Sequence, residues 1–435
     1  MKKIVIAAIF LFFLAALSIA FSESAIQDSN DDKVDGEVKE LLKENDEVSV
    51  IVVLEDDYGS LDKYSASEYK DDFEKKKVMI EEQQEKVLGG LDLKEEDNAD
   101  KNGIGISSAG NYDFELENTF SIVNGFSGEV TEEGLEKLKN DPNVKGIYPN
   151  REYKAFLSDS KNIVNATNTW RLIYNNTNLT GKGETICVID TGVDYTHSDL
   201  GNCASTSNIN DRSCGKVIGG YDFVNNDQNP IDDNGHGTHV AGIAASTNKT
   251  YRGIAPDANI VAIKVLNSAG SGNGSDLISG INWCVNNASI FNITVVSMSL
   301  GTTTLFTGYC DSSDAGTAAA VDAAIAKNIS VIAATGNDGS TTKISDPACI
   351  KNVTAVGWTN KDDTINSSSN RNSITDLLAP GSSITSSKNG GGTESNSGTS
   401  MSTPHVSAAF ALIHQYFKLT ENKVVIPNET QRYLN

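Results

Sequence analysis

Basic side chains are scarce in this chain. Its 435 residues carry 35 Lys and Arg against 58 Asp and Glu, a formal net charge of −23 at pH 7. Nucleic acid and anionic membrane surfaces both require a basic footprint, so neither is the main partner. Beyond residue 20 no apolar run is long enough to cross a bilayer. Nor is there a CxxC pair, which leaves a zinc site without support. Disorder of the whole chain is excluded too, because 38% of the residues are hydrophobic and Gly- and Ala-rich runs look packed. At this length two to three domains are expected, with at least one sizeable core.

What is present begins with a leader. Lys2 and Lys3 precede an apolar run from Ile4 to Ala20, followed by FSESA, which is the layout of a secretory signal peptide over residues 1–21. An uncleaved membrane anchor is the alternative. Export permits disulfides, and there are six cysteines. Cys203 and Cys214 flank a short polar loop (CASTSNINDRSC) and are expected to be bridged. Cys310 and Cys349, both in loop-like sequence, are the next candidate pair. Cys187 and Cys284 sit in apolar segments (TICVID, INWCV) and read as buried free thiols.

The composition then divides the chain. Residues 22–45 are acidic and poor in apolar side chains, a mobile linker by expectation. From residue 46 to 157 the elements read β-α-β-β-α-β. EVSVIVVLE is a strand, and YKDDFEKKKVMIEEQQEKVL has helical spacing. FSIVNGFSGEV reads as strand, turn and strand, TEEGLEKLKN as a helix opened by a Thr cap, and VKGIYPNREYKAF as an extended run. That order suggests a small α+β, ferredoxin-like domain. Residues 22–157 hold 35 acidic and 16 basic side chains, whereas residues 158–435 hold 23 and 17. Most of the negative charge therefore belongs to the N-terminal part.

After residue 157 short apolar runs recur: TICVID, NIVAIKVL, ITVVSMSL, SVIAATG and VTAVGW. Between them lie the helical patterns HVAGIAAS, DLISGINWCVNNA and AGTAAAVDAAIAK. Strands buried on both faces that alternate with helices indicate a doubly wound, mostly parallel sheet with helices on both faces. In such folds the chemistry sits at the carboxyl ends of the strands. Asp190 ends one of those strands, His236 starts an Ala-rich helix, and Ser400 starts another helix after Gly-rich sequence. Nucleophilic acyl transfer needs this set: a base to take the hydroxyl proton, and a carboxylate to fix the imidazole tautomer and stabilise the imidazolium. A helix N-terminus at the serine favours a developing oxyanion, and Asn337 at a strand end could add an amide donor. His239, three residues after His236, lacks the spacing and the Glu of a zinc-binding HExxH and reads as packed structure.

With DTGVD, HGTHVAG, SMSLG, AATGND and GTSMSTPHV in that order, the sequence over roughly 158–417 resembles the subtilisin-like serine peptidases, the subtilases. The resemblance implies Asp190 as orienting acid, His236 as general base, Ser400 as nucleophile and Asn337 as oxyanion donor. It also implies that Ser299, Leu300 and Gly301 and, opposite them, Gly270, Ser271 and Gly272 hold substrate backbone as an added strand. Residues 46–157 are similar to the inhibitory propeptide of that family, with self-cleavage expected within 153–160. The segment YDFVNNDQNPIDDNGHG is similar to a family calcium loop, with Asp222, Asp227, Asn229 and Ile231 as implied ligands and Asp199 as a ligand of a second site. The expectation is a secreted, monomeric zymogen of a serine endopeptidase, with polypeptide substrates, Ca²⁺ as a structural ion and its own propeptide as inhibitor. Inactive scaffolds used for binding, and proteins useful only through an inhibitory pro-domain, are the rival classes. Only 35 residues follow Ser400, fewer than the family usually has, so a C-terminal truncation is also expected.

Overall fold

The structure is a computed structural model, and it describes residues 31–55, 68–94, 112–155 and 164–434. The leader therefore lies outside the described residues. Among the described residues no helix is long and apolar enough to cross a membrane.

The N-terminal unit runs through helix α1 (Gly36–Leu42), strand β1 (Glu47–Leu54), helix α2 (Glu68–Leu88), strands β2 (Phe114–Thr119) and β3 (Gly125–Thr131), helix α3 (Glu132–Asn140) and strand β4 (Val144–Pro149). Its antiparallel sheet has the order β2-β3-β1-β4, a split β-α-β arrangement of ferredoxin type. Thr131 Oγ1 accepts from the Gly134 amide at 3.2 Å and so caps α3, a contact worth about 1 kcal/mol. Side chains alternate along a strand, and β1 uses both faces. Val50, Val52 and Leu54 join Phe114, Phe126 and Ile147 in the unit's own core. Ile51 and Val53 face the other way and extend the core of the C-terminal unit.

Two expectations for this region are corrected. The acidic segment 22–45 carries structure in its second half: α1 buries Val38, and Val34 joins the same core, so apolar residues too few to draw notice still dock the segment. The strand-turn-strand reading of FSIVNGFSGEV is displaced. The first strand is FELENT, one segment earlier, and Ser121–Asn124 form the bend. Ile122 and Val123 are apolar because they pack on the C-terminal unit and not because they form a strand.

Strand β5 (Glu152–Ala155) ends the N-terminal unit. The C-terminal unit contains strands β6 (Thr185–Asp190) and β7 (Val217–Asp222), helix α4 (His236–Ala245), strands β8 (Asn259–Lys264) and β9 (Ser271–Asn273), helix α5 (Gly274–Phe291), strands β10 (Ile293–Met298) and β11 (Leu300–Gly301), and helix α6 (Ala315–Ala326). Strands β12 (Ser330–Ala334), β13 (Thr354–Thr359) and β14 (Leu377–Pro380) follow, then the hairpin β15–β16 (Ile384–Ser387, Thr393–Asn396) and helix α7 (Thr399–Glu421). Seven strands form one parallel sheet in the order β14-β13-β12-β10-β6-β8-β7. Central strand β6 is buried throughout. Cys187 and Ile189 point into the core under α5 and α6, Ile186 and Val188 into the core under α4 and α7. The two sheet strands unread in the sequence, β7 and β14, are its edges. Gly219 and Gly220 weaken the pattern of one and Pro380 that of the other.

Where the units meet, the N-terminal one supplies what α5 lacks. Asn273, at the cap position, makes no side-chain cap. The Gly274 amide donates instead to the Arg151 carbonyl (2.9 Å), and the Ser275 amide to Asn150 Oδ1 (2.9 Å). Arg151 also reaches the Ser313 carbonyl ahead of α6 (3.0 Å) and pairs with Glu37 (2.8 Å).

All six cysteines are bridged. Cys203–Cys214 and Cys310–Cys349 are present. The reading of Cys187 and Cys284 as free thiols is wrong, for they form a third bridge with Cα atoms 6.3 Å apart. Both are fully buried in one core, where a disulfide packs as an apolar group, so the surrounding sequence gives no sign of the partner. Protein denatured without reductant should show no reactive thiol, and Cys187→Ala/Cys284→Ala should lose about 2–4 kcal/mol of stability in chemical denaturation. A titratable thiol pair would contradict the bridge.

Burial lowers two histidines in this unit, His239 and His414, each to about 4. The unfolded chain takes up these protons near pH 6.5 and the folded one does not. Their neutral forms thus stabilise the fold fully above about 6.5, and this is lost as pH falls towards 4. In a Ser400→Ala background, which prevents self-digestion, Tm should fall from pH 7.5 to pH 5, and His414→Leu should flatten that decline. An equal slope in both proteins would contradict the assignment.

Candidate active site

Parallel strands deliver the candidate residues to one edge of the sheet. Asp190 is the last residue of β6, Ser299 directly follows β10, and Asn337 lies just past β12. Asp190 is fully buried. Its Oδ1 accepts from His236 Nδ1 (2.6 Å) and from the Thr191 amide (2.7 Å). Receiving the Nδ1 proton fixes the tautomer that leaves Nε2 as the basic nitrogen. The residue after the histidine has to be glycine: a Cβ on Gly237 would lie 2.0 Å from the Gly192 carbonyl oxygen and 3.2 Å from Asp190 Cβ.

A second carboxylate organises the turn in front of α4. Buried Asp232 accepts at Oδ1 from Thr191 Oγ1 (2.9 Å) and from the amides of Asn234 (3.0 Å) and Gly235 (2.8 Å). At Oδ2 it accepts from the amide (2.9 Å) and hydroxyl (2.5 Å) of Thr238. Thr191 Oγ1 in turn accepts from the Gly237 amide (2.9 Å). The Asp190 strand and the His236 helix are thereby fixed to one anion. Nothing in the motif reading singled out Asp232, although an Asp just ahead of a helix is a start signal.

Ser400 is the second residue of α7, whose cap position, Gly398, makes no side-chain cap, so the first-turn amides face the site. Ser400 Oγ donates to the Ser299 carbonyl (2.9 Å), and Ser299 Oγ donates back to the Ser400 carbonyl (2.6 Å). Asn337 Oδ1 accepts from the amide (2.9 Å) and hydroxyl (3.2 Å) of Thr399. With its oxygen fixed there, the amide NH₂ is directed the opposite way as a donor. Asn370 steadies the following loop: its Oδ1 accepts from the amides of Asp338 (3.0 Å) and Ser340 (2.9 Å) and its NH₂ donates to Asp338 (2.8 Å). A lone Asn in a polar loop carried no signal of this.

β5 runs antiparallel between β9 and β11. Ser271 faces Lys154, Gly272 faces Tyr153 and Asn273 faces Glu152, while on the other side Leu300 faces Ala155 and Gly301 faces Lys154. Gly270 turns the chain into β9, its amide donating to the Asn267 carbonyl (2.8 Å). A Cβ on Gly272 would lie 2.0 Å from the Val265 carbonyl oxygen, so only glycine keeps this edge flush.

The oxygen-rich loop is a closed turn, with Asp222 and Asp227 exchanging backbone hydrogen bonds (2.9 and 3.0 Å). Its carboxylates and carbonyls have the donor chemistry of a hard cation site. Asp222 also accepts from the amides of Val224 (2.8 Å) and Asn225 (3.0 Å), and Asp227 from that of Asn229 (2.7 Å). Asn229 Oδ1 is taken by the Tyr195 hydroxyl (2.8 Å) and its backbone oxygen accepts from the Ile231 amide (2.8 Å), so a cation would use the second lone pair of that carbonyl together with the Ile231 carbonyl. Asp199 stands differently. Its carboxylate meets the Asn248 NH₂ (3.0 Å) and its carbonyl the Thr247 amide (3.0 Å), so the neighbouring loop offers it donors where a cation needs acceptors.

Known proteins share much of this sequence. The Subtilase family model matches residues 181–434, and the Peptidase inhibitor I9 model matches residues 49–156. Serine protease AprX of Bacillus subtilis is 38% identical over 236 residues, covering 52% of this chain and 48% of that protein. Alkaline serine exoprotease A of Vibrio alginolyticus is 31% identical over 337 residues, covering 74% and 57%. A thermostable alkaline protease of Halalkalibacterium halodurans is 32% identical over 333 residues, covering 74% of this chain and 82% of that one. The chain thus spans about half the length of the first two relatives. With more than half of its residues matched by the family model, the chain belongs to the subtilase family.

Proposed function

We propose that this protein is a secreted serine endopeptidase made as a self-processing zymogen. The observation that carries the reading is the 2.6 Å bond from His236 Nδ1 to buried Asp190, beside a helix whose second residue is the Ser400 nucleophile. Ser400 Oγ attacks a peptide carbonyl carbon while His236 Nε2 takes the hydroxyl proton. The negative oxygen that forms is met by the Asn337 NH₂ and the Ser400 amide. Collapse breaks the C–N bond, His236 returns the proton to the leaving amine, and an ester to Ser400 remains. Water, deprotonated by His236, hydrolyses that ester and regenerates the hydroxyl. In the present state the hydroxyl donates to the Ser299 carbonyl. A substrate amide that claims this carbonyl releases the hydroxyl for His236, which couples substrate binding to activation of the nucleophile.

The N-terminal unit is the inhibitor of its own catalytic domain in this reading, with β5 in the place of substrate. Its pairing sets Lys154 opposite Gly301 and Ala155 opposite Leu300. That register leads the chain toward Ser299 and the nucleophile, and the processing bond is expected within 153–160, of which residues 156–160 lie outside the described structure. The leader and three disulfides support export. Wild type made without residues 1–21 should release a mature chain by cleavage within residues 153–160 and react with a fluorophosphonate. Ser400→Ala should stay full length, and Asn337→Ala should lose about 10²–10³ in kcat, the magnitude known for the corresponding donor in subtilisin. A folded wild type that neither matures nor labels would sink the proposal.

A structural Ca²⁺ belongs to the same proposal, held by Asp222 and Asp227 carboxylates with backbone oxygens of Asn229 and Ile231. The ion would neutralise the loop's charge and brace the segment leading to His236, without entering the chemistry. Chelation should lower Tm, and Asp227→Ala should lower it alone and remove the response to chelator. Identical melting with and without chelator would retire the ion.

A further inference from the structure

The hydrolytic steps leave one buried cation of the site unused. Lys264 ends β8 with 1% of its surface exposed, in register with Asp190 on one flank and Asp222 on the other. Its Nζ donates to the Thr191 carbonyl (3.0 Å), the Leu266 carbonyl (2.7 Å) and Asp233 Oδ1 (2.6 Å), which employs all three of its protons. Each partner lies on a separate part of the machinery. Thr191 follows Asp190, Asp233 stands three residues before His236, and the amides of Val265 and Leu266 converge on the Asp190 carbonyl (2.9 and 3.2 Å). Burial of an ammonium is costly, and an apolar side chain of similar volume is often no worse for stability. The charge therefore calls for a reason beyond packing.

Its surroundings supply one. Asp190 faces this region from β6, Asp194 from the loop after it, Asp222 from β7, and Asp232 and Asp233 from the turn ahead of α4, while His239 lies one turn along α4 from His236. Of these, Asp190 bonds His236 directly and favours its imidazolium form, and Asp233 pairs with Lys264, the cation set beside that pair. We propose that Lys264 is a positioning residue for the Asp190–His236 pair, holding their two segments together and using its charge to restrain the basicity of His236, so that the general base stays unprotonated to lower pH.

This inference rests on the serine-peptidase reading, and one experiment separates the two. The dependence of kcat/KM on pH is measured with a chromogenic peptide for processed wild type, Lys264→Met and Lys264→Met/Asp233→Asn. Loss of the cation should move the acid limb of Lys264→Met upward by about 0.5–1 pH unit. The double variant, which also removes the facing anion, should bring the limb back towards wild type. A merely structural lysine would lower kcat or Tm and leave the limb in place. An unmoved limb overturns the inference, as does a double variant displaced as far as the single one. If Lys264→Met does not mature, Lys264→Gln, which keeps donors for both carbonyls without the charge, is judged by the same two criteria. A wild type without turnover at any pH fails the peptidase reading itself, and the inference with it.

Discussion

The hydrogen bond from His236 to Asp190 joins two groups with almost no contact with water, and the rest of the site is arranged around keeping it short. A buried carboxylate is tolerable only where donors and opposite charge meet it. Here the Thr191 amide and the imidazole share one oxygen, while the other is buried with no hydrogen-bond partner. The imidazole is thus held against Asp190 by a single shared oxygen. Gly237 sets how closely the helix approaches the strand, and Asp232 locks that approach by binding groups from both sides.

The same logic of shared supports governs how the two units meet. β1 is the strand on which both cores are built, with alternate residues given to each. A single β-strand therefore couples the folding of the N-terminal unit to the packing of α5 and α6. The capping of α5 by Asn150 and Arg151 adds a directional element, since these contacts are made only when the two units are in register.

Much of this was legible in the sequence, for identifiable reasons. The five inner strands of the sheet carry unbroken apolar runs because they are buried on both faces, and the ends of those runs point to Asp190 and Asn337. The edge strands β7 and β14 were not legible, because an edge tolerates Gly and Pro. Ile122 and Val123 misled for the opposite reason: apolar residues that serve an interface look the same as residues that serve a strand. Cys187 and Cys284 were misjudged because a core disulfide leaves no polar or loop signature. Asn370 and Lys264, and Asp232 in its bond to Thr191, act through partners distant in sequence, and only the folded chain brings those partners together.

The Cys187–Cys284 bridge ties the central strand to the middle of α5, the helix whose first turn is capped by the N-terminal unit. When that unit departs, the start of α5 must exchange its protein caps for water, and the first turn is free to fray. The bridge limits how far such fraying can travel, since residues from Cys284 onward cannot leave the sheet. Loss of those caps would then be a local loosening beside β9 and not the loss of a helix. The C-terminal unit thereby holds a covalent tie between its sheet and α5 that does not depend on contacts from the N-terminal unit.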